Sequence, residues 1–132
     1  YEIVGFAWWQ GDKDRYNTGH ASRYEQNLVR LIETLRKEFD APQAKFVIAT
    51  LGQTANDSAE GNEKLILDAQ MAVDGQSGKY PEFKGNVATV YTHPLSQGGA
   101  SNSHYNGNAQ TYMDVGLAMG EAMVELLEAN SE

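Results

Sequence analysis

The 132-residue sequence contains no cysteine, which removes disulfides, cysteine-ligated zinc and a thiol nucleophile in one step. A cysteine-free chain tolerates oxidising and reducing surroundings alike, so the compartment stays open. Cations are also scarce: 10 Lys and Arg stand against 18 Asp and Glu, a formal net charge of −8. Binding DNA or RNA needs clustered Lys and Arg to displace counterions, and here they are scattered, so nucleic acid is not an expected partner. No apolar run approaches the roughly 18 residues of a membrane-spanning helix, and no membrane partner is expected either. The opening Tyr1-Glu2-Ile3-Val4 has no initiator Met, basic n-region or signal-like apolar stretch, and it starts inside what reads as a strand. The expectation is a fragment or a processed product.

Hydrophobic residues make up 41% of the chain and charged residues 21%, too apolar a balance for disorder, and the length suits one domain. Three strand-then-helix units follow one another. Residues 2–9 are dense in β-branched and aromatic side chains and stop at Gly11, which predicts a buried strand. A helix over 21–39 puts Tyr24, Leu28, Leu31, Ile32, Leu35 and Phe39 on one face before Asp40 and Pro42 close it. The almost continuous apolar run 45–51 predicts a strand covered on both faces. A helix over 62–73, a glycine-rich loop over 74–85 and a strand over 86–91 come next. After a second glycine-rich loop, 92–106, a final helix over 108–128 turns Tyr112, Val115, Met119, Met123, Val124 and Leu127 inward. The order β-α-β-α-β-α implies parallel strands with right-handed crossovers, an α/β sandwich. Three strands leave two edges, and the first strand is too apolar for one. Either a homodimer forms through the exposed sheet edge, or a missing N-terminal portion supplies neighbouring strands.

Ligands bind an open parallel sheet beyond the carboxyl ends of its strands. The loops there are 10–19, 52–61 and 92–106, and two of them hold all three histidines, His20, His93 and His104. In Trp8-Trp9-Gln10-Gly11-Asp12 a side-chain amide just past a strand end can aim its NH₂ at a developing oxyanion. The plainer reading is that the tryptophans fill the core and Gln10 caps a turn. In Ser101-Asn102-Ser103-His104-Tyr105-Asn106 a loop histidine before a helix suits a general base, and equally a surface histidine without a partner. His93 precedes Pro94, where a structural turn fits better than a ligand. Asp12 and Asp14 share a side if their segment is extended. With the three histidines they make a candidate metal set, although no H-x-x-x-H or similar spacing supports it. No cofactor is otherwise called for.

Gly5-Phe6-Ala7-Trp8-Trp9-Gln10-Gly11 followed by Asp12-Lys13-Asp14 resembles the third block of the sialate O-acetylesterase-like branch of the SGNH (GDSL-type) hydrolases, related to the acetylxylan esterases. The likeness runs on through Ala21-Ser22-Arg23-Tyr24-Glu25-Gln26-Asn27-Leu28, the strand 45–51 and Lys79-Tyr80-Pro81-Glu82-Phe83. It ends at His104-Tyr105 and Asn108-Ala109-Gln110-Thr111-Tyr112-Met113, covering nearly the whole chain. The resemblance implies a three-layer flavodoxin-like sandwich, here truncated to about three parallel strands with helices on both faces. It also implies cleavage of acetyl or other short acyl esters, often on carbohydrates; the localisation stays open, a secreted or periplasmic parent of bacterial type being one alternative. His104 would be the triad base and Gln10 an oxyanion-hole donor, with Trp9, Gly11, Asp12 and Asn106 against the substrate.

The sequence departs from that pattern in three places. Asp12 stands where Glu is usual, one methylene shorter. Ser101-Asn102-Ser103 occupy the stretch before the histidine where an acidic triad member commonly sits. The block carrying the nucleophilic serine has no counterpart before the first strand, and Gly75-Gln76-Ser77 follows a helix rather than a strand. The chain therefore reads as an esterase part with the base and one oxyanion donor but without the serine. Two other readings stay open. One is a minimal homodimeric hydrolase whose water is activated by a metal on His20, His93, His104, Asp12 and Asp14. The other is an inert remnant that binds carbohydrate through Trp8, Trp9, Tyr16 and Tyr105.

Overall fold

A computed structural model describes residues 1–129. Its strands are β1 (Gly5–Trp9), β2 (Lys45–Ala49) and β3 (Val87–Val90), and its helices α1 (Thr18–Ala21), α2 (Tyr24–Glu38), α3 (Gly61–Ala72) and α4 (Ala109–Glu128). The strands form one parallel sheet in the order β1-β2-β3, with Gly5 opposite Lys45 and Phe46 opposite Val87. The middle strand is buried at all five positions, as its unbroken apolar run requires when helices cover both faces. Phe6 and Trp8 of β1 are in register with Phe46 and Ile48 of β2, and the period of two points all four to one side. There they meet Leu28 and Ile32 of α2 and Ile66, Ala69 and Val73 beside them. On the other face α4 packs along β2 and β3, with Val115 fully buried. This is the α/β arrangement of helices on both sides of a small parallel sheet. Among the described residues no helix is long and apolar enough to cross a membrane.

Two expectations about the helices change. The helix predicted over 21–39 is divided, because the Arg23 N–H donates to His20 O and ends α1 one turn before Tyr24 opens α2. Phe39 falls past the end of α2 and is exposed, its ring set against Phe6 at 5.7 Å. In α4 the buried positions are Thr111 and Val115, while Tyr112 and Val124 are exposed. That helix is apolar around most of its circumference, so periodicity alone selects no unique inward face. The edge problem persists in three dimensions: β1 lies at an open edge, and Ala7 in its middle is exposed.

Candidate active site

Because all strands run one way, the loops after them meet at one end of the sheet. The first loop turns sharply at Gly11, whose φ of +145° favours glycine and where a Cβ would sit 3.2 Å from Ile66 Cγ2. Immediately before it, the Gln10 carbonyl accepts from Tyr24 Oη at 2.7 Å and from Gln70 Nε2 at 3.1 Å. Gln70 is fully buried, and burial raises the Tyr24 hydroxyl to about 12, so both remain donors in neutral solution. The Gln10 side chain is held as well: Nε2 donates to Asp14 Oδ2 at 2.7 Å. A carboxamide nitrogen carries two hydrogens, so one stays free for a ligand.

The third loop carries a run of left-handed backbone. His104, Tyr105 and Asn106 have φ of 51°, 51° and 50°, a conformation that costs side-chain-bearing residues roughly 1–2 kcal/mol each. Such strain persists only where the surroundings impose it, and here they do. The Tyr105 ring is buried and stacks on Trp9 at 5.5 Å, while Tyr112 meets both rings edge-on. The Gly52 N–H donates to Tyr105 Oη at 3.1 Å, and Tyr112 Oη donates to His104 O at 3.2 Å. Burial raises the Tyr105 hydroxyl, and the Gly52 N–H only partly offsets it. The Asn106 amide closes the turn onto the Gly98 carbonyl. Held this way, His104 is exposed at the wall of a cavity of about 370 Å³.

The polar groups of that cavity include Gln10, Asp12, Ser101 and His104, and its aromatic wall is Trp9, Tyr105 and Tyr112. Asp12 Oδ1 accepts from Ser101 Oγ at 2.6 Å and from Arg15 Nε at 2.8 Å. Arg15 Nη1 reaches Glu63 Oε1 at 2.6 Å. Burial alone would lower the Arg15 guanidinium, but its bonds to Asp12 and Glu63 outweigh this and raise it. A wider cavity of about 590 Å³ lies at the opposite end, beside residues 1–4 and the segment after α2. It holds Glu2, Glu38 and Asp40 but no histidine, and it sits at the amino ends of the strands, where open parallel sheets do not place ligands.

The structure thus brings Trp9, Gln10, Gly11, Asp12 and His104 to one cavity. Asn106 is not on its wall, because its side chain is spent on Gly98. His93 pairs its Nδ1 with Gly52 O at 2.8 Å, the structural turn that Pro94 suggested. His20 is exposed on α1, and its N–H bonds the Asn17 side chain. Among the described residues no three His, Asp or Glu side chains gather closely enough to hold a metal ion. His20, His93, His104, Asp12 and Asp14 therefore do not form the metal set that loop placement suggested. Sequence reasoning missed Arg15, Gln70 and Ser101, and it assigned Tyr112 to the core.

A small parallel sheet between helices, with its cavity at the carboxyl ends of the strands, fits the SGNH (GDSL-type) esterase-like domains, and comparison with known proteins places the chain among them. It belongs to the family described as carbohydrate esterase, sialic acid-specific acetylesterase, whose model matches residues 1–125. A crystal structure of a protein from Arabidopsis thaliana is similar at 25% identity and a TM-score of 0.65, over 93% of this chain and 44% of that one. The chain therefore spans less than half of the plant protein's length. No curated protein matches it. Membership supports a hydrolase-type function in general terms.

Proposed function

We propose that the chain supplies the general base and an oxyanion donor to an ester hydrolase that removes acetyl groups from carbohydrates. The reading rests on one observation: a single cavity receives Gln10 from the loop after β1 and His104 from the loop after β3. In this mechanism a serine hydroxyl attacks the acyl carbon while a ring nitrogen of His104 takes its proton. The carbonyl oxygen gains charge and accepts the Gln10 Nε2 hydrogen that Asp14 does not hold. His104 then gives its proton to the departing sugar oxygen, and water repeats the sequence on the acyl-enzyme. Trp9 and Tyr112 offer apolar surface to the sugar ring, with the Tyr105 ring buried behind them.

The nucleophilic serine comes from outside these residues. Ser96, Ser101 and Ser103 share the loop with His104, but their hydroxyls donate to Thr92 O, Asp12 Oδ1 and Ala100 O. The test is hydrolysis of 4-nitrophenyl acetate and of an acetylated sugar by this chain and by its parent protein. The chain alone is expected to match the buffer rate. In the parent, His104→Ala lowers kcat by about 10²–10⁴-fold and Gln10→Ala by about 10²–10³-fold, and a chelator changes neither rate. Turnover by the isolated chain would sink the external serine, and a fully active His104→Ala parent would sink the base.

A second proposal concerns the open edge of β1. Its unpaired side and the exposed Ala7 leave backbone groups free to pair, and a second copy of the chain is the partner we assign to it.

A further inference from the structure

We propose that a second cavity, on the opposite face of β1 from the His104 cavity, is the acyl subsite of the same reaction and takes an unbranched acyl chain longer than acetyl. The inference rests on the esterase reading of the site. Side chains of a strand alternate between its faces. Trp9 turns toward α4, where it meets Tyr105 and Tyr112, while Trp8 turns toward α2 and packs against the core there. Each tryptophan lines a cavity of its own, and Gln10, at the end of the strand, lines both. The two cavities thus share the group that receives the carbonyl oxygen.

Carbonyl geometry divides the ester between them. The carbonyl carbon is trigonal, so with its oxygen on Gln10 the alkoxy and acyl groups diverge to opposite sides. The sugar oxygen faces His104 to receive its proton, which sends the acyl chain away from His104 and toward Trp8. The second cavity holds about 210 Å³, several times the roughly 30 Å³ share of one water molecule. A methyl group is of similar size, so acetyl leaves most of the space empty. Trp8, Leu28 and Leu31 make its wall apolar. The Tyr24 hydroxyl, which also lines it, is spent on the Gln10 carbonyl at 2.7 Å. An alkyl chain therefore strands no polar group there. Asp14, which holds one Gln10 hydrogen at 2.7 Å, lines this cavity and not the other. Its carboxylate disfavours a second negative charge close by. The occupant is thus an uncharged acyl chain, and the carboxylate that hydrolysis releases is repelled.

The 132-residue chain has two tryptophans, Trp8 and Trp9, so its ¹⁵N-indole signals report the two cavities separately. Butyramide, an uncharged mimic of a butyryl ester, is expected to shift the Trp8 signal more than the Trp9 signal. Acetamide binds about 15-fold more weakly, at about 4-fold per buried methylene, and butyrate ion leaves Trp8 unmoved. Asn27, exposed on α2, and Leu31 both line the cavity. Asn27→Phe and, separately, Leu31→Phe narrow it and weaken the Trp8 response, while the Trp9 signal keeps its position and marks an intact fold. In the parent protein kcat/KM for 4-nitrophenyl butyrate exceeds that for the acetate by about 15-fold, and Asn27→Phe brings the ratio toward 1. A Trp8 signal unmoved by butyramide would overturn the inference. So would equal affinities for acetamide and butyramide, or a butyrate-to-acetate ratio unchanged in Asn27→Phe. Failure of the esterase reading shows separately, as His104→Ala without effect on hydrolysis while Trp8 still responds to butyramide.

Discussion

Tyr80 and Tyr24 hold their protons for different reasons, and both tie the chain's stability to pH. Tyr80 donates to Glu25 Oε1 at 2.6 Å, and that bond, with burial and the carboxylate's charge, raises its hydroxyl to about 12. Tyr24 reaches about 12 chiefly through burial. Burial pushes the Glu25 carboxyl up, but hydrogen bonds from Lys79 and Tyr80 and the Lys79 charge outweigh it and hold Glu25 below 4.5. A raised folded-state value gives stability that is complete below the unfolded value of 10 and lost as pH rises through about 12. A depressed one gives stability present above 4.5 and lost as pH falls through the lower folded value. Urea unfolding across the pH range should therefore weaken at both limbs, and Tyr80→Phe should flatten both, because it removes one titrating phenol and one donor to Glu25. Unchanged slopes in that variant would count against the account. At this scale Gln10 and His104 were legible in the sequence, since a strand-end amide and a loop histidine fall where parallel sheets place ligands. The Ser101–Asp12 bond was not, because 89 residues separate its partners and no periodicity links them.

Elements show where local chemistry specified the chain and where packing decided. Asn108 caps α4, its side chain accepting from the Thr111 N–H at 2.9 Å. Asn108→Ala is expected to cost about 1 kcal/mol by thermal or urea unfolding. It should also speed amide exchange at Thr111 and in the His104 turn before it does so in β2. Uniform exchange through α4 and β2 would show that the cap does not restrain the turn. The strands were readable to within a few residues because β2 is an unbroken apolar run between polar stretches. The left-handed turn at 104–106 was not, because His and Asn favour that region only weakly and Tyr does not, and the conformation is imposed by Trp9, Gly52 and Tyr112. The inward face of α4 failed for a related reason: Met113, Leu117 and Val124 are apolar and exposed, so hydropathy could not separate the covered side from the open one.

For the whole molecule, charge and sheet edge act against each other. A chain of formal charge −8 repels its own copy, while the unpaired side of β1 and the apolar exposed side of α4 favour contact. Salt shortens the Debye length from about 10 Å at 0.1 M to about 3 Å at 1 M, so the dimer fraction read by light scattering should rise with ionic strength. Ala7→Lys should lower it at every salt concentration. A chain monomeric at all salt concentrations would refute the edge contact.

The parallel pairing of β2 also sets an order in time. Gly5 meets Lys45 and Phe46 meets Val87, so each ladder joins residues about forty positions apart, with helices lying between them. Among the described residues no pair of strands closes as a hairpin, and long-range pairing carries a loop-closure cost before any contact offsets it. Contacts within each helix close far shorter loops than either strand pairing does. Gln10 and His104 lie beyond the two outer strands of the sheet, so they meet only where both ladders are closed. A chain with its helices formed but either ladder open would contain no site at all, so the cavity is in effect a record that the sheet is complete.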